Sequence, residues 1–256
     1  MCDDSIDMIK NKNDFTLIHK LARKCITPLL DDILLISPQV VNWYQTHYKK
    51  GIWLPIIRNE ESEAQLYAKA LPISNDINKK FNLINKKILL YVGRFVKIKN
   101  ISRLLEAIGK TKEEFVTVII GDGEEKESLV KQANSIQNKT ILFPGHFEGQ
   151  ELRAWYNIGD VFILPSYTEP FGAVVNEALL AGNLTIVSNK AGSECLIQDG
   201  VNGYHIDPFN VNDISSKIDM AMQQIPSKSS IIHKKENKMN IHFETIIKQV
   251  IKKISE

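Results

Sequence analysis

The sequence has few cysteines and no long apolar segment. Cys2, Cys25 and Cys195 are its three cysteines, and an odd number of widely spaced cysteines does not suit a framework of disulfides. Reduced thiols in a cytosolic protein explain them better. No apolar run approaches the ~20 residues that a membrane-spanning helix needs, and the polar start of the chain does not suit a secretory signal. We therefore expect a cytoplasmic protein.

A strong excess of one charge is also missing. The chain carries 32 basic and 30 acidic side chains, which gives a formal net charge of +2. Proteins that bind nucleic acids usually concentrate a basic excess on one face, so no nucleic-acid partner is expected. The 256 residues suffice for one large domain, or for one full domain and a fragment of another.

From residue 87 onwards, short apolar runs alternate with segments of helical spacing. The predicted strands cover residues 88–93, 115–120, 141–143, 161–164 and 185–187. Helices are predicted between them, and the first of these is expected to end at Gly109. This alternation predicts an α/β fold with a Rossmann-like parallel sheet and helices on both faces. Ligands of such sheets bind at the carboxyl ends of the strands.

The segments on either side of this region are less regular. Before it, helical spacing from Leu17 to Leu29 precedes two short predicted strands, at 33–37 and 51–57, and Ser37-Pro38 has the pattern of a helix start. Residues 58–82 are predicted to form a connection with some helix. After it, a helix with an apolar stripe is predicted at the end of the chain. We expect that stripe to pack on the protein, and the alternative is a membrane surface.

The most informative segment runs from Pro165 to Gly182. Glu169 lies in the loop after a predicted strand, and Glu177 lies eight positions later in the following helix. Gly172 allows the backbone to approach a ligand closely, and the start of the helix offers free N–H groups to an anion. A phosphate bound there would lie between two carboxylates that can each engage a sugar hydroxyl.

This Glu-x7-Glu segment, within the frame Pro-Ser-x-x-Glu-x-Phe-Gly, resembles the retaining glycosyltransferases of the GT-B fold, glycosyltransferase family 4 or "glycosyl transferases group 1". Four further segments match that family in the expected order. They are Val-Gly-Arg-Phe-Val-Lys-Ile-Lys-Asn at 92–100, Ile-Gly-Asp-Gly at 120–123, Phe-Pro-Gly-His at 143–146 and Gln-Asp-Gly-Val-Asn-Gly at 198–203. The resemblance covers residues 88–208, and five ordered motifs make it specific.

The resemblance implies a role for each matching residue. Arg94 and Lys99 are expected to bind the diphosphate of a UDP- or GDP-sugar and to stabilise the charge that develops on the leaving oxygen. Glu169 is expected beside the donor sugar, and Glu177 at the ribose hydroxyls. The remaining expected donor-site residues are Gly93, Gly145, His146, Phe171, Gly172 and Ala173. The simpler alternative for Arg94, Lys99, Glu177 and His146 is that each is an ordinary surface residue.

The resemblance also implies an activity. A sugar would pass from the nucleotide to a glycan or a lipid-linked acceptor with retention of configuration, as in polysaccharide biosynthesis. Because two cations take the place of a divalent metal, neither a metal nor another cofactor is expected. The reaction would take place in the cytoplasm, or at the inner face of the membrane with a peripheral membrane contact.

The family further implies a division of the chain. Its parts would be a remnant of an acceptor-binding N-terminal domain at 1–60, a connection at 61–86, the nucleotide-sugar-binding domain at 87–226, and a polar linker with a C-terminal helix at 227–256. On this hypothesis the chain is N-terminally truncated, and its remnant exposes aromatic residues such as Tyr44 and Trp53. The alternative function is then a donor-binding subunit or truncated pseudoenzyme, for which a partner chain supplies the acceptor domain. A nucleotide-sugar epimerase is a third hypothesis, which the Pro-Ser-x-x-Glu-x-Phe-Gly frame disfavours.

Two positions depart from the family pattern. Leu184 stands where a proline is usual, and Cys195 stands where a glutamate is expected four residues before Asp199, with Glu194 one position early. The second change is expected to loosen a contact to the loop that holds the donor. Neither change falls on a residue that is expected to contact the diphosphate or the sugar.

Overall fold

The computed structural model describes residues 9, 17–226 and 230–255, and its first elements form a small pair of parallel strands. The elements are helix α1 (Leu17–Ile26), a 3-10 helix (Thr27–Leu29), strand β1 (Leu34–Leu35), helix α2 (Pro38–Tyr48) and strand β2 (Ile52–Trp53). β1 and β2 pair in parallel. The two strands predicted in this region are therefore confirmed, in shortened form. Cys2 lies outside the described residues.

The predicted helix start at Ser37-Pro38 is confirmed. The Ser37 side chain accepts a hydrogen bond from the Val40 N–H at 3.4 Å, and Pro38 occupies the first turn of α2. Tyr44, in the same helix, is only 2% exposed, because it packs in a small core with residues such as Leu35. The expectation that Tyr44 is exposed is therefore wrong. Trp53 is half-buried against both this small core and the main one.

Two helices fill the connection that follows. They are α3 (Glu60–Lys69) and α4 (Leu71–Lys80). The Asn59 side chain accepts from the Ser62 N–H at 3.0 Å and so starts α3. The expected connection with helix is confirmed, whereas the division of the chain into domains stays a prediction.

Six parallel strands form the central sheet. They are β3 (Ile88–Val92), β4 (Val116–Ile120), β5 (Thr140–Gly145), β6 (Val161–Leu164), β7 (Leu184–Ser188) and β8 (Gly203–Ile206). The helices around them are α5 (Ile101–Lys110), α6 (Lys126–Asn134), α7 (Gly149–Ile158), α8 (Ala173–Leu180) and α9 (Val211–Gln223), and α10 (Phe243–Ser255) follows near the end of the chain. The strand order is β5-β4-β3-β6-β7-β8, and every pairing is parallel. The predicted parallel α/β fold is confirmed.

Packing covers the sheet on both faces. On one face Leu90 and Phe162 pack with Trp155 of α7, and on the other Leu89 packs with Leu105 of α5. All five of these side chains are fully buried. β3 and β4 are buried along their whole length, as expected for central strands of a parallel sheet.

Two details differ from the sequence prediction, and one agrees with it. Helix α5 runs past Gly109 to Lys110 and ends at Thr111, whose backbone is extended. Gly109 does not adopt the left-handed conformation that would end a helix there. Strand β8 and helix α9 were not predicted. In α10, Ile246 and Val250 of the predicted stripe are buried, whereas Ile251 and Ile254 are exposed, so the expected packing is confirmed for part of the stripe.

The order of the strands reverses at β3. From β3 the chain builds outwards through β4 to β5, and it then returns to the other side of β3 and continues with β6, β7 and β8. A crevice forms at the carboxyl ends of the two strands that flank such a reversal. β3 and β6 meet there, so Gly93 and the loop after Leu164 lie at this crevice.

Candidate active site

A cleft of about 430 Å³ lies at the reversal of strand order. It brings together eight of the ten residues that were expected at the donor site, and they are Gly93, Arg94, Lys99, Glu169, Phe171, Gly172, Ala173 and Glu177. Ile36 and Ile56 complete the wall from the N-terminal part of the chain. Both isoleucines lie in segments that were predicted as short strands, but no motif in those segments indicates a ligand site.

The loop at 165–172 carries Glu169 and is fixed by the segment after β7. The Glu169 N–H donates to the Lys190 carbonyl at 3.1 Å, and the Gly192 N–H donates back to the Glu169 carbonyl at 3.0 Å. A Cβ atom on Gly192 would lie 2.1 Å from the Pro170 carbonyl oxygen. Only glycine allows this close approach, and the backbone hydrogen bonds then hold Glu169 at the cleft.

Gly172 ends this loop and starts helix α8. Its φ of +90° is left-handed, and a Cβ atom there would lie 2.6 Å from Leu164 Cδ2 and 3.1 Å from Glu169 Cγ. Glycine is therefore required by conformation and by space. Ala173 and Val174, the first residues of α8, line the cleft. The N–H groups of a first helical turn lack partners within the helix and attract anions.

Lys99 forms an ion pair with Glu169 inside the cleft. Lys99 Nζ contacts Glu169 Oε2, and the two side chains are only 17% and 13% exposed. The turn that carries Lys99 ends at the buried Asn100, which is left-handed. Asn100 Nδ2 donates to the Pro165 carbonyl at 3.0 Å and to the Pro208 carbonyl at 2.8 Å. This amide therefore fixes the lysine turn against the loop that carries Glu169.

Arg94 follows β3 and is exposed at the edge of the cleft. The backbone before it contacts a glycine turn, because a Cβ atom on Gly121 would lie 1.9 Å from the Gly93 carbonyl oxygen. The Phe95 N–H donates to the Asp122 carbonyl at 2.8 Å, which fixes the other side of Arg94. The glycine turn therefore fixes the backbone on both sides of Arg94.

Glu177 is held by residues from three other parts of the chain. Its Oε1 accepts from Arg58 Nη2 at 2.6 Å, and its Oε2 accepts from the Tyr156 hydroxyl at 3.0 Å. The Tyr67 hydroxyl donates to its backbone carbonyl at 2.9 Å. Arg58, Tyr67 and Tyr156 belong to no motif in the sequence, so local spacing gives no signal for them.

Two expected residues lie outside this cleft. His146 lines a neighbouring cleft of about 410 Å³, which shares Gly93 and Arg94 with the first. Its imidazole is exposed, and Nε2 lies 3.1 Å from Glu148 Oε1. Gly145 lines neither cleft, and its carbonyl accepts from the Gly121 N–H at 2.9 Å. The roles of these two residues stay predictions.

Cys195 and Glu194 do not line the cleft. The Cys195 thiol donates to the Gly192 carbonyl at 3.3 Å. Burial, together with the charge of Glu194, raises the pKa of this thiol to about 12, so it is neutral at physiological pH. Glu194 accepts a hydrogen bond from Gln39. The position where the family has a carboxylate therefore carries a neutral side chain that contacts the segment supporting the 165–172 loop.

The parallel sheet, with a charged cleft at its reversal, defines a Rossmann-like α/β protein, and the sequence family narrows this class. Residues 74–238 match the family described as glycosyl transferases group 1, and the chain belongs to this family. An uncharacterised glycosyltransferase of Methanocaldococcus jannaschii is 29% identical over 172 residues, which are 65% of this chain and 44% of that protein. The sulfoquinovosyl transferase of Arabidopsis thaliana is 32% identical over 136 residues, which are 52% of this chain and 26% of that protein. The chain thus spans less than half the length of these two relatives.

Solved structures agree on the fold. HepE of Anabaena, in complex with UDP and glucose, superposes with a TM-score of 0.74 at 16% identity, over 96% of this chain and 69% of that one. Sucrose-phosphate synthase of Thermosynechococcus elongatus gives 0.69 at 20% identity, over 97% of this chain and 65% of that one. The family match and these superpositions confirm the expected GT-B glycosyltransferase fold.

Within the described parts of the chain, every helix is too short or too polar to cross a bilayer. The cytoplasmic location and the contact with the inner face of the membrane stay predictions.

Proposed function

We propose that this protein transfers a sugar from a nucleoside-diphosphate sugar to a glycan or lipid-linked acceptor, with retention of configuration. The observation that carries the proposal is the convergence of Arg94, Lys99, Glu169 and the start of α8 on one cleft. A diphosphate sugar carries negative charge at one end and hydroxyl groups at the other. Cations and free N–H groups suit the first, and a carboxylate suits the second.

In this proposal Arg94 and Lys99 bind the diphosphate. Cleavage of the bond between sugar and phosphate builds negative charge on the leaving oxygen, and fixed cations stabilise that charge most when they are already in place. Lys99 is held in the cleft before any ligand arrives, since it pairs with Glu169. The start of α8 adds the positive end of its dipole.

Glu169 then acts on the sugar. Its carboxylate accepts hydrogen bonds from sugar hydroxyls and stabilises the positive charge that develops at the anomeric carbon. The acceptor attacks from the face that the phosphate leaves, and the leaving phosphate takes the acceptor's proton. The anomeric configuration is thereby retained.

Glu177 and the neighbouring cleft accommodate the nucleoside. Glu177 borders the diphosphate cleft and binds the ribose hydroxyls, and the cleft with His146 takes the base. The two clefts share Arg94. One nucleotide can therefore occupy both clefts.

The small sheet of β1 and β2 supports a second candidate function. A sheet of two strands is too small to form a stable domain around an acceptor site. A unit that binds the donor and works with an acceptor site outside the described residues fits this observation. In both proposals the cleft binds the nucleotide sugar.

The first prediction is that the protein binds a nucleoside diphosphate without metal. Arg94 and Lys99 supply two positive charges to the cleft, and the described ranges hold no cluster of three or more His, Cys, Asp or Glu side chains that could bind a metal ion. Calorimetric titration with UDP, GDP and ADP should give the same Kd with and without EDTA for the nucleotide that binds. Loss of binding on chelation would contradict metal independence, and absence of binding for all three would contradict the donor site.

The second prediction separates the two glutamates. Glu177→Gln should raise the Kd for the nucleotide about 10- to 100-fold, because a charged hydrogen-bond acceptor contributes ~1.5–3 kcal/mol. Glu169→Gln should not raise that Kd, because its proposed partner is the sugar, but it should slow cleavage of the donor. Calorimetry with the nucleotide and assay of nucleotide release from the nucleotide sugar measure the two effects. The reverse pattern would show that the two roles are exchanged.

A further inference from the structure

The Glu177 carboxylate is fixed at both oxygens by groups that do not line the 430 Å³ cleft. Arg58 holds Oε1 at 2.6 Å, and the Tyr156 hydroxyl holds Oε2 at 3.0 Å. Glu177 lines the 430 Å³ cleft, and neither Arg58 nor Tyr156 does. A carboxylate oxygen has two lone pairs. Each Glu177 oxygen therefore keeps one acceptor site for a ligand while the protein occupies the other.

Arg58 is itself fixed, in both backbone and side chain. Its N–H donates to Asn176 Oδ1 at 3.0 Å, next to Glu177 on α8. Its Nη1 contacts Glu63 Oε1 at 3.1 Å, and Glu63 is also paired with Arg153 at 3.2 Å. The Glu63 side chain is only 8% exposed. Arg58 thus belongs to a chain of alternating charges that ends at the carboxylate facing the cleft.

Two neighbouring carboxylates stabilise the positive charge of Arg58. Partial burial lowers the pKa of the Arg58 guanidinium, but the negative charges of Glu177 and Glu63 outweigh that effect and leave the pKa above its ordinary value. The guanidinium is therefore permanently charged. Tyr156 is fully buried, and burial, together with the charge of Glu177, raises the pKa of its hydroxyl. The hydroxyl therefore remains a proton donor to Glu177.

We propose that Arg58 and Tyr156 are positioning residues that align the Glu177 carboxylate with two adjacent hydroxyl groups of a ribose. The protein then prefers ribonucleoside to 2′-deoxyribonucleoside diphosphates. This inference rests on the proposed function, because it assumes that a nucleotide occupies the cleft. It adds that Arg58, in the segment before α3, and Tyr156, in α7, together set the preference. A carboxylate that is free to rotate would bind a ribose with one hydroxyl group about as tightly as a ribose with two.

The test compares pairs of ligands that differ by one hydroxyl. UDP, GDP and ADP, each beside its 2′-deoxy form, are titrated by calorimetry against the wild-type protein and four variants. The variants are Arg58→Gln, Arg58→Lys, Tyr156→Phe and Arg153→Gln. Arg153→Gln is the matched control, because Arg153 pairs with Glu63 at the other end of the charge chain and does not contact Glu177. Each variant is first shown to be folded by its thermal melting transition.

The wild-type protein should bind one ribonucleotide about tenfold more tightly than its 2′-deoxy form, which corresponds to ~1.4 kcal/mol, within the range of one hydrogen bond. Arg58→Gln and Tyr156→Phe should each bring this ratio close to one, and Arg58→Lys should restore part of it. Arg153→Gln should keep the ratio of the wild type. A general loss of packing would weaken both ligands equally and would leave the ratio unchanged.

The possible negative results distinguish failure of the proposed function from failure of this inference. If the wild type binds none of the six ligands, the proposed function fails and this inference fails with it. If it binds both members of a pair equally, the diphosphate site stands, but the inference is overturned. It is also overturned if Arg58→Gln and Tyr156→Phe keep the wild-type ratio. Should Arg58→Gln not fold, Tyr156→Phe decides alone, because it removes only one oxygen atom.

Discussion

Lys99→Ala is expected to slow cleavage of the nucleotide sugar by about 10²–10³-fold, the usual loss when one fixed donor to a developing oxyanion is removed. The Lys99 side chain is 17% exposed and lies in the cleft beside Glu169. A charge in such a place acts more strongly than one in bulk water. The measurement is the rate at which UDP is released from UDP-glucose, or GDP from GDP-mannose, whichever nucleotide binds.

Lys97 offers a matched control for this variant. It lies in the same short helix, Lys97–Lys99, but its side chain is exposed and does not line the cleft. Lys97→Ala should therefore leave the rate unchanged. If both variants lost the same amount of activity, the cause would be the turn rather than the Lys99 charge, and the proposed role of Lys99 would be wrong.

Gly121→Ala is expected to lower the free energy of unfolding by about 3–5 kcal/mol, at the upper end for single substitutions. Its φ of +143° costs about 1–3 kcal/mol for a residue with a side chain. In addition, its Cβ atom would lie 1.9 Å from the Gly93 carbonyl oxygen and 2.9 Å from Phe95 Cε1. The backbone on either side of Arg94 would have to move. Urea denaturation followed by circular dichroism measures the loss.

Gly145→Ala separates the two causes. Gly145 also has a positive φ, +113°, but a Cβ atom there would meet no other atom within 4 Å. This variant should show only the conformational cost of about 1–3 kcal/mol. The excess loss in Gly121→Ala then reports the contact with Gly93. Equal losses in the two variants would contradict the close packing of the glycine turn.

Several features of the candidate site could be predicted because they are local. In a parallel α/β sheet the carboxyl ends of neighbouring strands meet at one edge. Residues that follow a strand directly, such as Arg94 after β3 and Glu169 after β6, are therefore brought together once the strands are known. The structure places eight of the ten expected residues on one cleft, although their roles in binding and catalysis stay predictions.

Other elements were missed for reasons that are also local. Strand β8 is Gly-Tyr-His-Ile, which is short and begins with glycine, so it has no apolar run. A Cβ atom on Gly203 would lie 1.8 Å from the Thr185 carbonyl oxygen of β7. The close pairing with β7 therefore requires glycine at a position where sequence patterns indicate a turn. Gly109 led to the opposite error, because a helix end was predicted there and the helix continues to Lys110. A glycine in the last helical turn does not by itself end the helix.

The sequence by itself determined the parallel α/β class, the positions of its main strands along the chain and the residues at their carboxyl ends, since hydrophobic periodicity and short motifs record those features locally. Only the tertiary structure decided what holds Glu177. Arg58 lies 119 positions away in the chain and reaches Glu177 Oε1 at 2.6 Å, while Tyr156 reaches the other oxygen from α7. Periodicity indicates which side of an element faces the core. It does not indicate which charges on different elements meet, because that depends on the distances that folding sets between them.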